Sequence, residues 1–258
     1  MDKRIGAQFF TIREHMKTIE DFECSCKKIH DIGYQLVQIS GTSLEAAQMR
    51  PVLDKYGLQV VTTHRRFEDF MNNLDEVIEY NRILGSNLCG VGCMPEGYGM
   101  SQEKVTEFIG QLNGVCEQLK KKDMYFGYHN HALEFVKYQG KTIFDRLVEE
   151  TDPEVCCFIA DTYWAQAGGA NPVKFIEKLG KRAMAVHFKD FSVRAEDWTI
   201  PRMCEVGKGN LDWDEIIIAC EEAGCRWALV EQDTNHMNEN PFLSLETSYG
   251  YLKTKGFY

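Results

Sequence analysis

Cations, long apolar runs and linker-like segments are all scarce in this chain. Lys and Arg number 29 against 39 Asp and Glu, so the net charge is −10 at pH 7. A polyanion binder needs clustered Lys and Arg to neutralise phosphates, so nucleic acid is not expected as a partner. No apolar run approaches the roughly 18 residues that mark a membrane span, so no membrane association is expected. The opening MDKRIGAQFF lacks the long apolar stretch of a signal peptide. No Pro-rich or Ser-rich stretch divides the chain, so residues 1–258 are expected to form a single domain.

Zinc-type cysteine spacing is also missing. The ten cysteines sit mostly inside apolar runs, as at Cys156, Cys157 and Cys220, and Cys24-Ser-Cys26 does not match C-x-x-C. Buried free cysteine behaves as a small hydrophobe. Reduced core thiols point to a cytoplasmic protein.

What the chain does have is a repeated unit: an amphipathic segment, a glycine, then a short β-rich run. KKIHDIGYQLVQIS, VLDKYGLQVVTTH, EYNRILGSNLCGVG, FIEKLGKRAMAVHF and CEEAGCRWALVEQ all follow it, and KKKDMYFGYH replaces Gly with Asp. Glycine after a helical pattern is a C-cap signal, because it adopts the left-handed conformation at little cost. The runs that follow are apolar throughout, as strands covered on both faces should be. Eight strands are predicted, at about Ile5–Phe10, Tyr34–Ile39, Gln59–Thr63, Asn87–Val91, Met124–His129, Val155–Ala160, Ala183–His187 and Trp227–Glu231, each followed by a helical pattern. Eight βα units and 258 residues read as an α/β fold, a single (β/α)8 TIM barrel.

Barrel active sites form at the C-terminal ends of the strands. The fifth strand ends at His129, the sixth at Asp161, the seventh at His187 and the eighth at Glu231. Side chains alternate along a strand, so Cys157, Ile159 and Asp161 share a face, as do Ala185, His187 and Lys189, and Leu229 and Glu231. A charged group between apolar faces needs a partner or a metal. Each residue has a plainer reading: Asp161 as a cap of the next segment, His187 as a satisfied core histidine, Glu231 as the partner of Lys189 or Arg13. A divalent cation shared at the barrel mouth accounts for all four together.

YHNHALEF, DTYW with GGANP behind it, HFKD, EVGKGNLDW and VEQD, in that order, resemble the sugar phosphate isomerase/epimerase family of xylose-isomerase-like TIM barrels. The resemblance covers almost the whole chain, from IGAQFFTIR onward. It implies one divalent metal ion (Mn, Mg, Co or Zn), usually held by Glu, Asp, His and Glu from the last four strands. Asp161, His187 and Glu231 match three of these. The first Glu is missing: His129-Asn130-His131 stands where a typical member reads Glu-Asn-His. Either His129 or Glu134 completes the set, and Glu134 is the expected ligand because it restores the carboxylate. Gln38 also departs from the pattern, standing where many relatives carry Glu.

A divalent ion can polarise a carbonyl and stabilise an enediolate, while a carboxylate removes the proton alpha to it. Glu231 is the expected base, with Glu134 on the opposite side and Lys189 facing the developing oxyanion; a salt bridge of Lys189 to Asp190 or Glu231 is the plainer alternative. His64, at the end of the third strand, His131, Trp164 and Arg13 are expected to bind substrate, against readings of His64 as a rim histidine and of Trp164 as core. Gly207-Lys208-Gly209 lies where many barrels bind phosphate, though a tight turn explains it as well.

The expected activity is thus a metal-dependent isomerase or epimerase acting on a sugar, keto-sugar or cyclitol. The alternative is a lyase of the same fold, an inosose-type dehydratase or a 3-keto-glycoside eliminase. A DNA-repair endonuclease would need a basic face, which the charge opposes, and a binding module with a degenerate site is the non-enzymatic reading. The expected partner is a small-molecule sugar or keto-sugar, with assembly into a homo-oligomer left open.

Overall fold

The computed structural model describes residues 1–258. Eight parallel strands close into a barrel in sequential order. They are β1 (Ile5–Gln8), β2 (Leu36–Ile39), β3 (Gln59–Arg65), β4 (Leu88–Val91), β5 (Tyr125–His129), β6 (Cys156–Asp161), β7 (Ala183–Phe188) and β8 (Trp227–Val230). The helices between and after them are α1 (Ile19–Ile32), α2 (Ala46–Lys55), α3 (Phe67–Asn72), α4 (Leu74–Leu84), α5 (Gln102–Lys120), α6 (Ile143–Glu150), α7 (Thr162–Ala167), α8 (Pro172–Leu179), α9 (Trp213–Ala223) and α10 (Pro241–Thr254). No helix is long and apolar enough to cross a membrane.

The eight predicted strands are all present. The first is shorter than expected: the chain turns into a 3-10 helix at Phe9–His15, because the Gln8 side chain accepts from Phe10 N and starts the turn. The glycine punctuation works as read from sequence. Gly85 and Gly224 cap α4 and α9 at φ 76° and 77°. Asp123, standing in for glycine before β5, takes φ 57°, a conformation that short polar side chains tolerate.

Two apolar layers hold the barrel. The larger lies between strands and helices. The smaller fills the barrel interior with Leu36, Val61, Ile159, Ala185 and Leu229, all buried. The last three sit two residues before Asp161, His187 and Glu231, so alternation sends those polar side chains into the same interior, one layer nearer the mouth. Space there is tight: a Cβ on Gly90 would overlap the Gly127 carbonyl of the adjacent strand, so glycine lets β4 and β5 meet. All ten cysteines are free, and eight are buried.

Candidate functional site

The mouth gathers His129, Asp161, His187 and Glu231, whose ligand-capable atoms all lie within 4.8 Å of one another. Asp161 and His187 are register partners on β6 and β7. Each side chain is held from outside. His129 Nδ1 lies 2.8 Å from the Gly92 carbonyl and His187 Nε2 lies 2.7 Å from Gln38 Oε1. Both outer nitrogens therefore donate, and His129 Nε2 and His187 Nδ1 turn inward as the atoms able to hold a cation. Asp161 divides its oxygens: Oδ1 accepts from Trp164 N at 2.8 Å, capping α7, while Oδ2 lies 3.3 Å from His129 Nε2. The capping reading and the ligand reading of Asp161 thus hold together. Asn130 Oδ1 accepts from Asp161 N at 2.9 Å and locks β6 to the loop after β5.

Charge is concentrated and incompletely balanced. Lys189 Nζ lies 2.7 Å from Asp233 Oδ2, 3.1 Å from Glu231 Oε2 and 3.7 Å from Asp161 Oδ2. One ammonium thus faces three carboxylates. Burial pushes Asp161 and Glu231 upward, but Lys189 and the histidines outweigh it and hold both below the usual carboxylate range. Burial pushes His187 down, and Glu231 and Asp161 overcome it to raise the group to about 9. His187 Nδ1 is 2.9 Å from Glu231 Oε2, yet it makes no aligned hydrogen bond. A buried ring nitrogen that faces two carboxylates without a bond of its own suits a cation seated between them. The set of two imidazoles and two carboxylates matches the N/O preference of a divalent transition ion.

Glu134 does not join this set, contrary to the expectation that it restores the missing carboxylate. The chain after β5 folds into a short 3-10 turn at Leu133–Phe135. That turn puts Glu134 in the protein interior, where Oε1 accepts from Tyr128 OH at 2.6 Å and Oε2 from His131 N at 2.7 Å. Burial raises its pKa despite these bonds. It pins the loop that carries His131, and His129 is the fourth member of the converging group. Lys189 pairs with Glu231, as one sequence reading had it, and not with Asp190.

The other expected residues surround the set. The His64 ring lies 5.4 Å from His129 and 5.9 Å from His187, with Nε2 unpartnered. His131 packs 4.9 Å from His129 and 4.7 Å from Trp164, which in turn lies under Lys189 at 5.5 Å. Burial, with neighbouring histidines, lowers His64 well below its usual value and His131 to about 3, so both are neutral donors or acceptors at pH 7. Arg13 stands at the rim, donating to the carbonyls of Phe10 (2.8 Å) and Asp233 (3.2 Å) and not to Glu231. A cleft of about 570 Å³ opens from His64 between the loops after β2, β3 and β4, within the size range of small-molecule sites.

Sequence reasoning did not assign roles to Asp233, Asn130 or, beyond its departure from the family pattern, Gln38. Asp233 was within reach, since it continues the Leu229–Glu231 alternation. Gln38 was not, because its contact with His187 spans 149 residues.

The profile of the xylose isomerase-like TIM barrel family matches residues 26–254. An inosose dehydratase of Clostridium botulinum is 26% identical over 176 residues, which are 61% of this chain and 57% of the relative. Another, of Geobacillus kaustophilus, is 24% identical over 266 residues, covering 86% and 83%. Against most of these curated relatives, the chain spans about half their length. Among solved structures, a sugar phosphate isomerase/epimerase of Parabacteroides distasonis superposes with a TM-score of 0.80 at 20% identity, covering 97% of this chain and 93% of that one. Eight sequential strands, a polar mouth fed by the last four of them, and a profile that runs through nearly all of it lead to one assignment: the chain belongs to the xylose isomerase-like TIM barrel family.

Proposed function

We propose that this chain is a metal-dependent isomerase or epimerase of a sugar, keto-sugar or cyclitol, transferring a proton at the carbon next to a carbonyl, and that residues 1–258 act as one barrel domain. The observation that carries the reading is the convergence of His129, Asp161, His187 and Glu231 beside Lys189. These four would hold a divalent ion, which when bound supplies Lewis acidity toward a substrate carbonyl. Glu231 takes the alpha proton; its held-down pKa keeps it ionised at neutral pH. Lys189, fixed by Asp233 and Glu231, presents positive charge to the oxygen on which negative charge develops. His64, His131 and Trp164 orient the substrate from the rim.

A second reading is a lyase that removes the same proton and then expels a beta leaving group. The names of the curated relatives, inosose dehydratases, favour it. Glu134, the carboxylate expected on the side opposite Glu231, is turned away to Tyr128 and His131, and this favours it too, since a two-base epimerase needs a second base there.

Turnover in heavy water tests the common step: solvent deuterium should enter the carbon alpha to the carbonyl. Product that keeps all of its hydrogen there counts against Glu231 as an exchanging base. Mass spectrometry of the product separates the two readings. An unchanged mass supports the isomerase or epimerase, and loss of water or of a glycone supports the lyase.

A further inference from the structure

Several hydrogen-bond donors around the mouth are already engaged. Gly207 N and Gly209 N, in the loop where many barrels bind phosphate, both donate to Asp190 Oδ2, at 2.8 and 3.1 Å. That turn is an anion nest filled by a side chain of the same protein. Lys189 is divided among three carboxylates. Arg65 Nε has no partner, but alternation turns this side chain away from His64, and its guanidinium lies over the Tyr80 ring of α4 at 4.6 Å.

Two donors deeper in the barrel are different. Gln8 on β1 and Gln38 on β2 are register partners and, like Asp161 and His187, completely buried. Both face the interior. Leu36, two residues before Gln38, belongs to the inner apolar layer, and a Cβ on Gly6, two residues before Gln8, would meet the Leu229 side chain of that layer. Each amide oxygen is committed: Gln8 Oε1 accepts from Phe10 N at 3.1 Å and Gln38 Oε1 from His187 Nε2 at 2.7 Å. Each amide nitrogen is without a partner. The pair therefore offers N–H groups and no acceptor. β1 pairs with β8 through Ala7 and Val230, so the next residues, Gln8 and Glu231, stand side by side. On its other side Glu231 is flanked by β7, the strand that leads into Lys189.

A buried donor without a partner carries a free-energy cost that an acceptor relieves. Fixed N–H groups away from water also hold a carbonyl oxygen more tightly as it gains negative charge. We infer that Gln8 and Gln38 seat the oxygen of the reacting carbonyl from the β1–β2 side, with Lys189 on the β7 side, and so hold the alpha carbon against Glu231. This rests on the proton-transfer reading of the site. As Glu231 takes the alpha proton, the C–H electron pair becomes the new C=C bond and the carbonyl π pair moves onto the seated oxygen.

The test is calorimetry of the Mn-loaded protein with glycolohydroxamate, which carries the two oxygens of an enediolate and no further sugar. Gln8→Met removes the donor without adding charge. Gln8→Glu and Gln38→Glu keep the accepting oxygen and replace only the donor nitrogen. Gln8→Met, folded by circular dichroism, should bind the hydroxamate at least roughly tenfold more weakly, with Mn affinity within about threefold of wild type. Hydroxamate affinity within about threefold of wild type overturns the inference, even where the melting temperature falls, because the amide then serves the fold alone. Where Gln8→Met does not fold, the two Glu variants decide by the same hydroxamate criterion. Wild-type protein that fails to bind the hydroxamate below about 10 mM also overturns it. Deuterium exchange of D-fructose, D-ribulose and scyllo-inosose in heavy water keeps the two readings apart. With a substrate that exchanges, Gln8→Met should lower kcat/KM roughly 100-fold, and a value within about threefold of wild type overturns the inference. If wild type exchanges none of them, it is the proton-transfer reading that fails, and the hydroxamate affinities alone decide the seat.

Discussion

The two halves of the barrel mouth are built from different chemistry. The strands β5 to β8 end in His129, Asp161, His187 and Glu231, with Lys189 and Asp233 close behind, and charge dominates. Toward the barrel interior the strands β1 to β3 present Gln8, Gln38, Thr62 and His64, uncharged amide, hydroxyl and imidazole groups, while Arg65, Arg66, Glu68 and Asp69 line the cleft beyond them. Gln8, Gln38 and Thr62 are register neighbours, so they form one polar layer across three adjacent strands. The charged half is ordered by ion pairs that leave an excess of carboxylate and so calls for a cation. The neutral half has spare hydrogen-bonding capacity and so calls for hydroxyls. The only direct side-chain hydrogen bond joining the charged set to the Gln8–Gln38–Thr62 layer is His187 Nε2 to Gln38 Oε1. The division of labour follows: one half activates, the other orients.

The comparison breaks most sharply if the charged half is not where the chemistry happens. Glu231→Gln is expected to lower kcat by roughly 10³-fold with the circular dichroism spectrum unchanged, because it removes the base and leaves the fold. A wild-type rate in that variant rejects Glu231 as base. Next is the contact between the halves. Gln38→Leu should weaken Mn or Co binding by about 10- to 100-fold in calorimetry, since it frees the outer nitrogen that orients His187; an unaltered affinity would show that the halves are independent.

Protons sharpen the same comparison. His187 without metal is raised to about 9, so at pH 7 it carries a proton on the nitrogen a metal would take. Metal and proton compete, and affinity should rise about tenfold per pH unit from pH 7 until it levels near pH 9. Calorimetry at pH 7 in buffers of different ionisation enthalpy should find about one proton released per ion bound; none released would place the metal elsewhere or His187 neutral.

On the neutral side, His64→Ala should raise KM about tenfold and leave kcat within about threefold, as expected for a group that binds ground and transition states alike. A collapse of kcat would move His64 into the chemistry. The smallest effect is reserved for Glu134→Gln. It should lose about 1–2 kcal/mol of stability in urea unfolding, as the Tyr128 and His131 bonds weaken, with metal affinity unaltered. A large loss of metal would return Glu134 to the ligand set.

The barrel was legible in the sequence because each strand reports itself locally. Apolar runs of four to seven residues after a glycine cap need no knowledge of distant residues, and the same alternation that puts Ile159, Ala185 and Leu229 inward puts Asp161, His187 and Glu231 inward. Strand position therefore brought all four converging side chains to the mouth, His129 among them. Whether Glu134 joins them was decided elsewhere. His129 and Glu134 were both available in GYHNHALEF, and the family pattern, with its missing Glu, favoured the carboxylate. A single 3-10 turn reversed that choice by giving Glu134 the Tyr128 hydroxyl and the His131 N–H as buried partners, which compensate its desolvation without a metal. The contact of Gln38 with His187, the capture of the Gly207–Gly209 turn by Asp190 and the tethering of Lys189 by Asp233 share that origin. Local pattern sets which face a residue occupies, because backbone geometry is periodic. Which atoms it then meets depends on local turns, as at Glu134, and on chain segments folded in from up to 149 residues away, and no period carries that information.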